Sequence, residues 1–245
     1  MKPQRAMWER VSSLMVTMSG MSGQADEFRH WRSIDYRPAL SELSAEHLAA
    51  YLHSGQRALE VGCNRGRTAL WLASRGVETV GIDINSDAIL HARDEASKFS
   101  NVKVRFIEGD FLHQPDMGRF DLVVMIRVLT CFSRVEDWHA LLHRCFDCLA
   151  GDGLMYIHDF IVSSQCESYR ERYNEGARRG WRTGNFAVPG REGGVLFIAH
   201  HHSIEEITEI ANPYQKIFLN FHDSVSLNGN ACRMFEFLGK RRGLA

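Results

Sequence analysis

An acidic residue and a glycine-rich turn lie close together in the first third of the chain. In the run LEVGCNRGRTALWLA, Glu60 precedes Gly62 by two positions, and Gly66 follows four positions later. Glycine lets a backbone approach a ligand closely and adopt left-handed conformations. The first N–H groups of a helix that follows the turn are free to donate hydrogen bonds to that ligand. The segment therefore predicts a binding turn of the nucleotide type.

The spacing excludes two common nucleotide-binding motifs. A dinucleotide fold would show G-x-G-x-x-G, whereas Gly62, Asn64 and Arg67 occupy those three positions here. The phosphate-binding loop G-x-x-x-x-G-K-[ST] is absent as well. Instead, two further acidic residues lie where predicted strands end. Asp83 is the last residue of the predicted strand 78–83, and Asp110 directly follows the predicted strand 102–109. The turn is thus combined with carboxylates and not with cations that would hold a phosphate.

The elements that position these residues follow from the hydrophobic pattern. Short β-rich runs alternate with helical patterns whose apolar residues are three and four positions apart. This alternation predicts a parallel sheet with helices on both faces. Further on, QKIFLNFHDSVSL and CRMFEFLGK are separated by NGN, which predicts a β-hairpin. The predicted strands of the parallel part are residues 57–62, 78–83, 102–109, 120–126 and 153–160.

The 245 residues are expected to form one domain with four segments. Ser44 is expected to cap a helix over 43–53, Asn85 to cap the second helix of the core, and Ser203 to form a capping box with Glu206. The predicted segments are a helical arm (1–43), a ligand-binding core (44–160), an inserted lid (161–202) and a closing helix with its hairpin (203–245).

Composition narrows the class of protein. The chain has 29 Lys and Arg residues against 30 Asp and Glu residues, a net charge of -1, so it lacks the basic excess of a protein that coats nucleic acid. No run approaches the roughly 20 apolar residues of a membrane-spanning helix. The six cysteines lack the dense, even spacing of a secreted disulfide framework, and the Cys145–Cys148 pair has no second pair with which to bind zinc. We therefore expect a cytoplasmic protein without nucleic-acid or membrane partners.

The acidic turn resembles that of the class I S-adenosylmethionine-dependent methyltransferases, whose pattern is E/D-x-G-x-G-x-G. The likeness covers roughly residues 44–160, and it departs from the pattern at Asn64. Asparagine adopts the left-handed backbone conformation more readily than most residues, so Asn64 is expected to replace the middle glycine in that conformation. The resemblance implies an α/β fold, a Rossmann-like, doubly wound, mostly parallel seven-stranded sheet with helices on both faces and a C-terminal β-hairpin. It also implies S-adenosyl-L-methionine as cofactor and S-adenosyl-L-homocysteine as product.

The resemblance implies a role for each residue at the strand ends. Glu60 would organise the turn and the methionine ammonium, and Asp83 would accept hydrogen bonds from the ribose hydroxyls. Asp110 and Phe111 would contact the adenine, and Arg127 would lie under the methionine part. The complete set of cofactor-binding residues implied in this way is Glu60, Gly62, Cys63, Asn64, Gly66, Asp83, Ile84, Asp110, Phe111 and Arg127.

Methyl transfer requires alignment of the nucleophile, the methyl group and the sulfur, and a hydroxyl or ammonium nucleophile also calls for a base. The candidate catalytic residues are His158 and Asp159 after the fifth strand, and His200 and His202 before the capped helix. A strand residue that faces a helix and a solvated histidine loop are the alternative interpretations. No metal is predicted at the triplet 200–202, because no carboxylate pair at ligand spacing accompanies it.

The predicted lid is rich in arginine and aromatic residues. Arginine binds carboxylate and phosphate groups well, so an anionic small-molecule acceptor is one interpretation. Interleaved glutamates and arginines equally suit an exposed, salt-bridged helix. Aromatic residues of the arm (Trp8, Trp31 and Tyr36) are candidates for a second wall of the acceptor site.

We predict methyl transfer to an oxygen, nitrogen or carbon atom of a small metabolite. The chain has IRVLTCF where enzymes that methylate the amino groups of bases carry [DNS]-P-P-[YFW], so such bases are disfavoured as acceptors. A methyltransferase of protein or RNA, a non-catalytic S-adenosylmethionine-binding partner or sensor, and a nicotinamide dehydrogenase are the alternatives. The missing glycines disfavour the last of these. A homodimer and a monomer are both left open.

Overall fold

The computed structural model describes residues 42–190, 194–226 and 229–242. The predicted aromatic wall of Trp8, Trp31 and Tyr36 lies outside the described residues. The strands are β1 Arg57–Val61, β2 Glu78–Asp83, β3 Val104–Glu108, β4 Phe120–Ile126, β5 Leu149–Ile161, β6 Asn185–Pro189, β7 Val195–His200, β8 Tyr214–Val225 and β9 Ala231–Arg241. The helices are α1 Glu42–Ala49, α2 Arg67–Ala73, α3 Ser86–Ser97, α4 Val135–Cys148, α5 Glu167–Arg178 and α6 Ile204–Ala211.

Seven strands form one sheet in the order β3-β2-β1-β4-β5-β9-β8. The first five strands pair in parallel, and β9 pairs antiparallel with both β5 and β8. This arrangement confirms the predicted mostly parallel seven-stranded sheet and its C-terminal hairpin. The strand order reverses between β1 and β4, and sheets of this kind bind ligands outside the carboxyl ends of the strands at such a point.

Two apolar clusters cover the two faces of the sheet. On one face, Trp138 of α4 and Ile207 of α6 pack on residues of β4, β5 and β9. On the other face, Leu48 of α1 and Leu72 of α2 pack against Tyr156 and its neighbours. Because side chains alternate along a strand, consecutive residues of β5 contribute to opposite clusters. This alternation decides which of the candidate residues on β5 can meet.

Side-chain caps mark the starts of two helices, α3 and α6, as the sequence predicted. Asn85 accepts a hydrogen bond from the backbone N–H of Ala88 at 2.9 Å. Ser203 and Glu206 form the reciprocal capping box at the start of α6. The expected cap at Ser44 is wrong, because α1 begins at Glu42 and Ser44 lies inside it. Its side chain is fully buried and hydrogen-bonds the hydroxyl of Tyr156 instead.

The segment 161–202 contains α5 and a separate two-stranded sheet, β6 with β7. The sequence analysis did not predict this hairpin. The last residues of segment 161–202 return to the core, where His202 makes a parallel bridge with Ile161 at the end of β5. We use the name lid for residues 161–202 and lid root for this return at residues 200–206.

Within the described part of the chain, no helix has the length and apolarity needed to cross a membrane.

Candidate active site

The glycine-rich turn after β1 adopts the left-handed conformation at three positions. The φ angles are 70° at Gly62, 46° at Asn64 and 74° at Gly66. The expectation that Asn64 replaces the middle glycine in this conformation is confirmed. A Cβ atom on Gly62 would lie 2.6 Å from a methyl carbon of Val128, so the turn also packs tightly against the loop that follows β4. Only glycine fits this position without displacing that loop.

Asp83 ties the turn to the next helix. Its Oδ2 accepts a hydrogen bond from the N–H of Asn64 at 2.8 Å, and its Oδ1 accepts one from the N–H of Asn85 at 2.9 Å. Burial raises the pKa of Asp83, and these backbone N–H groups oppose the rise. A carboxylate has about four lone-pair sites, so both oxygens retain acceptor capacity for a ligand.

Glu60 lies behind the turn in a site that lacks a cation. Its side chain is 4 % exposed, and its Oε2 has no hydrogen-bond partner among the described residues. Burial raises the pKa of Glu60 to about 8, although hydrogen bonds from Thr68 and Ala69 lower it. A ligand ammonium would stabilise the ionised form of this carboxyl group. The unpartnered oxygen therefore fits the methionine end of S-adenosylmethionine, the position that the resemblance implies.

The other implied cofactor residues surround the same strand ends. Asp83 is paired with Glu108 across β2 and β3, so Asp110 follows at the same edge of the sheet. Asp110 accepts hydrogen bonds from Leu112 N–H and faces Nδ1 of His113 at 2.8 Å. Phe111 is buried under the guanidinium of Arg144, Cys63 is buried behind the turn and Ile84 is half-buried. Their adenine and ribose contacts stay predictions.

Arg127, directly after β4, points across the ends of β5 and β9. Its φ of 56° is left-handed, a strained conformation for a residue other than glycine that costs on the order of 1–3 kcal/mol. Its N–H donates to the carbonyl oxygen of His158 at 2.8 Å. The guanidinium lies 5.6 Å from the ring centre of Phe160 and contacts the sulfur of Met234 at 3.9 Å. Its buried Nε has no partner among the described residues.

His158 meets a histidine that the sequence analysis did not single out. Nε2 of His158 lies 3.2 Å from Nε2 of His222 on β8. Burial lowers the pKa of His158 to about 3, and the neighbouring His222 and Arg127 lower it further. Burial also lowers the pKa of His222. We call Arg127, His158, Phe160, His222 and Met234 the basic cluster. Its two imidazoles are neutral at physiological pH.

Asp159 lies on the opposite face of β5 from His158. It is fully buried and accepts hydrogen bonds from the N–H groups of Phe160 at 2.8 Å and Thr130 at 3.3 Å. Burial raises the pKa of Asp159 to about 7, against the effect of these backbone hydrogen bonds. The carboxyl group therefore holds the loop that carries Arg127 and Val128, and its predicted contact with the acceptor stays a prediction.

The three histidines of the triplet enter different surroundings. His201 stacks on Phe160 with ring centres 4.7 Å apart and an interplanar angle of 8°, and its Nδ1 lies 2.6 Å from the hydroxyl of Tyr173. His202 instead packs edge-on against Trp138, and His200 is paired with Glu206. The structure thus stacks the ring of His201, and not the ring of His200 or His202, on Phe160 of the basic cluster.

Arg170 and Arg178 of α5 form ion pairs on an exposed surface, whereas Arg172 lies over the rings of Tyr169 and Phe186. Arg178 binds Glu171 and Glu175 at 2.8 Å, and Arg179 binds Glu175 at 2.9 Å. Burial of these side chains is slight, so the pairs contribute little to stability. The geometry favours the salt-bridged helix over an anion-binding lid surface, and Arg127 is the guanidinium that lies at the end of the sheet.

Comparison with known proteins identifies the core. A family model described as "Methyltransferase domain" matches residues 58–153. Residues 58–153 are therefore similar to known methyltransferase domains, in agreement with the resemblance carried by the acidic turn. A ubiquinone biosynthesis O-methyltransferase of Glaesserella parasuis is 33% identical over 42% of this chain and 44% of that protein. A magnesium-protoporphyrin O-methyltransferase of Rhodobacter capsulatus is 38% identical over 34% of this chain and 37% of that protein. The chain thus matches less than half the length of these relatives.

Solved structures show that the methyltransferase fold extends beyond the matched core. A S-adenosylmethionine-dependent methyltransferase of Methanosarcina mazei superimposes with a TM-score of 0.75 and 23% identity, over 84% of this chain and 100% of that chain. Magnesium protoporphyrin IX methyltransferase of Synechocystis, solved with bound S-adenosylhomocysteine, gives a TM-score of 0.57 and 16% identity over 92% of this chain and 98% of that chain. The predicted Rossmann-like fold is confirmed.

Proposed function

We propose that the chain binds S-adenosylmethionine at the carboxyl ends of β1 and β2 and transfers its methyl group to an oxygen atom of a small molecule. When bound, the cofactor supplies an electrophilic methyl carbon on its sulfonium. The observation that carries the proposal is the buried, unpartnered oxygen of Glu60 beside a left-handed turn that is held by Asp83. This site offers a cationic ligand a carboxyl oxygen that ionises when the ligand binds, and it has no counterpart in a phosphate-binding turn.

The choice of oxygen as the atom that accepts the methyl group is based on the names of the relatives. The proteins of Glaesserella parasuis and Rhodobacter capsulatus are named as O-methyltransferases of ubiquinone biosynthesis and of magnesium protoporphyrin. Both are similar to this chain in the core that would bind the cofactor. We extend their reaction type to this chain, with a small molecule as acceptor.

The basic cluster is our proposed acceptor site, and Arg127 supports an acceptor with an anionic group. Its guanidinium contacts a ring and a sulfur, and its charge also lowers the pKa of the buried Asp159. A carboxylate or an ionising hydroxyl would satisfy the unpartnered Nε by a charge-assisted hydrogen bond. The Gly62–Val128 contact joins this cluster to the cofactor turn, because Val128 follows Arg127 directly.

His158 and His222 orient the acceptor hydroxyl in this proposal. Because the pKa of His158 is lowered to about 3, its neutral ring accepts a hydrogen bond readily but holds a proton poorly. His222 is half-buried and contacts His158, so it provides the path by which the hydroxyl proton leaves toward solvent. The acceptor oxygen would then receive the methyl group released by the cofactor sulfonium and lose its proton on the side of His158 and His222.

Two measurements on the unmodified protein test this function. Calorimetric titration should show one S-adenosylhomocysteine bound per chain and no binding of NAD. Methyl transfer from radiolabelled S-adenosylmethionine should then be at least about tenfold faster to a phenol that carries a carboxylate than to the methyl ester of the same phenol. Binding of NAD in place of S-adenosylhomocysteine would overturn the proposal. Cofactor binding without transfer to any acceptor would favour a non-catalytic sensor.

We also propose a reducing compartment, the cytoplasm, as the location of the protein. All six cysteine thiols are free, and four of them are buried. A protein in an oxidising compartment would be expected to form disulfides from such a set. Mass spectrometry of protein alkylated before cell lysis should find six free thiols, and a stoichiometric disulfide would contradict this location.

A further inference from the structure

We propose that the lid root binds one divalent transition-metal ion, with zinc as the preferred ion, through His200, His202 and Glu206. The three side chains are 0 %, 0 % and 7 % exposed, and their ligand atoms all lie within 4.8 Å of one another. Imidazole nitrogens with one carboxylate oxygen are a ligand set that zinc uses in proteins. This site is separate from the cofactor turn and from the basic cluster.

The hydrogen bonds around His200 leave Nε2 of its ring facing the carboxylate of Glu206. Asn185 donates from Nδ2 to the carbonyl oxygen of Ser133 at 3.0 Å, which directs its Oδ1 toward Nδ1 of His200 at 2.7 Å. Nδ1 carries the proton of this bond, because an amide oxygen only accepts. Nε2 lies 3.0 Å from Oε2 of Glu206, so a proton or a metal ion must lie between these two atoms. The Asn185 bond is the outer hydrogen bond typical of a metal-binding histidine.

His202 supplies the independent observation that points to a ligand. Its side chain is fully buried, and neither ring nitrogen has a hydrogen-bond partner among the described residues. Leaving a buried polar group unpaired costs about 1–3 kcal/mol. Its Nδ1 lies 3.8 Å from Oε2 of Glu206, the oxygen that also faces His200. A metal ion at this point would satisfy the lone pair of His202 directly.

Glu206 is oriented by groups outside the proposed metal site. Oε1 binds the guanidinium of Arg182 at 2.5 Å, while Oε2 accepts a hydrogen bond from the N–H of Ser203 at 2.7 Å. These contacts fix the carboxylate so that Oε2 is the atom directed at both imidazoles. Ligating carboxylates are commonly held by hydrogen bonds of this kind.

The distances agree with a tetrahedral ion after small side-chain movements. Ligands about 2.0–2.1 Å from zinc lie about 3.3 Å from one another in a tetrahedral arrangement. The separations of 3.0 Å and 3.8 Å from Oε2 to the two imidazole nitrogens lie on either side of that value. Three protein ligands leave one position for water.

The ion would hold the lid on the core. His200 ends β7, His202 bridges Ile161 at the end of β5, and Glu206 lies in the first turn of α6. Binding all three joins the lid, the central sheet and the closing helix at one point. The proposed role is structural, because His202 meets the basic cluster only through its backbone N–H, which donates to the carbonyl oxygen of Phe160 at 3.1 Å, among the contacts of the described residues.

The test uses untagged full-length protein produced with zinc in the medium and analysed by elemental mass spectrometry. We expect about one zinc ion per chain, and loss of at least about nine-tenths of it in His202→Gln and Glu206→Gln. His139→Gln is the matched control, because His139 is a partly buried histidine of α4 that pairs with Glu209 near the same helix. This variant should retain the zinc.

Cobalt provides a second measurement that does not depend on any variant folding. Protein stripped with a chelator and reloaded with Co²⁺ should show the visible absorption bands of a tetrahedral site and regain the thermal stability lost on stripping. Unmodified protein with less than one-tenth of an equivalent of zinc and no cobalt bands would overturn the proposal. S-adenosylhomocysteine titration of the same samples reports separately on the cofactor site.

Discussion

The cofactor turn and the basic cluster adjoin each other, yet the chain builds them in different ways. The cofactor turn uses one stretch of sequence, in which Glu60, Gly62 and Asp83 follow two adjacent strands. The basic cluster combines Arg127 and His158 with His222 from the last hairpin. In the turn, backbone N–H groups meet carboxylate oxygens at ordinary distances, whereas the cluster contains unpartnered buried nitrogens.

This difference indicates that the cofactor turn is preorganised, whereas the basic cluster needs its ligand to satisfy its buried polar groups. A hydrogen-bonded turn keeps its shape without the cofactor and needs only a cation beside Glu60. Unpartnered nitrogens in a buried cluster are costly, and a substrate with complementary groups removes that cost. The comparison therefore assigns cofactor binding to the turn and acceptor selection to the cluster, and the following substitutions separate the two.

The largest effect is expected from Arg127→Met. Methionine keeps an unbranched stem over Phe160 but removes the guanidinium, and hydrogen bonds to charged groups are worth about 1.5–3 kcal/mol. Steady-state assays should show kcat/KM for a carboxylate-bearing acceptor falling about 100-fold. Affinity for S-adenosylhomocysteine, measured by calorimetry, should stay unchanged. Equal losses in both measurements would mean that Arg127 serves the cofactor and not the acceptor.

Asp83→Ala should weaken S-adenosylhomocysteine binding at least about tenfold. The substitution removes the ribose acceptor and also the two hydrogen bonds that hold the turn, to Asn64 and Asn85. Asp87→Ala is the matched control, an exposed aspartate in the first turn of α3. Calorimetry measures both variants. Wild-type affinity in Asp83→Ala would rule out the assigned cofactor site.

Glu60→Gln should change the pH dependence of cofactor binding. The free protein keeps the Glu60 proton up to a pKa of about 8, and a bound ammonium favours the ionised form. Binding therefore releases a proton, and the affinity of the unmodified protein should rise between pH 6 and pH 8 by at most about tenfold per unit. Glutamine cannot ionise, so calorimetry of the variant should give a flatter profile. An unchanged slope would place the titrating group elsewhere.

The raised pKa of Glu60 also makes the stability of the ligand-free protein depend on pH. Because the pKa of Glu60 is raised on folding, the folded state holds a proton that the unfolded state releases above pH 4.5. Stability contributed by this group is present below pH 4.5 and is lost as the pH rises to about 8. Denaturant unfolding of the Glu60→Gln variant should lack this part of the decline.

The smallest effect is expected from Arg178→Ala on the lid. Arg178 pairs with Glu171 and Glu175 on the exposed side of α5, where solvent and salt screen the charges. Thermal unfolding, cofactor affinity and turnover should all match the unmodified protein. A loss of turnover with anionic acceptors would indicate that the lid arginines bind the acceptor, and it would weaken the case for Arg127.

Sequence reasoning predicted the turn well because its geometry is local. The glycines, Asn64 and Asp83 lie within consecutive strand-turn-helix units, and each unit carries its own apolar period and cap. The same reasoning failed at Ser44, whose hydroxyl bonds Tyr156 within the core and does not cap a helix. It also missed His222, which reaches His158 only through the pairing of β8, β9 and β5.

The sequence by itself determined the alternation of strands and helices in the core, the acidic glycine-rich turn and hence the resemblance of the core to methyltransferase domains. Tertiary structure alone decided that His158 and Asp159 point to opposite faces of β5, that His201 joins Phe160, and that Glu206 faces two buried imidazoles. The physical reason is the range of the interactions. Hydrogen bonds within a turn depend on neighbouring residues, whereas contacts between distant segments depend on sheet register and on the packing of the whole chain.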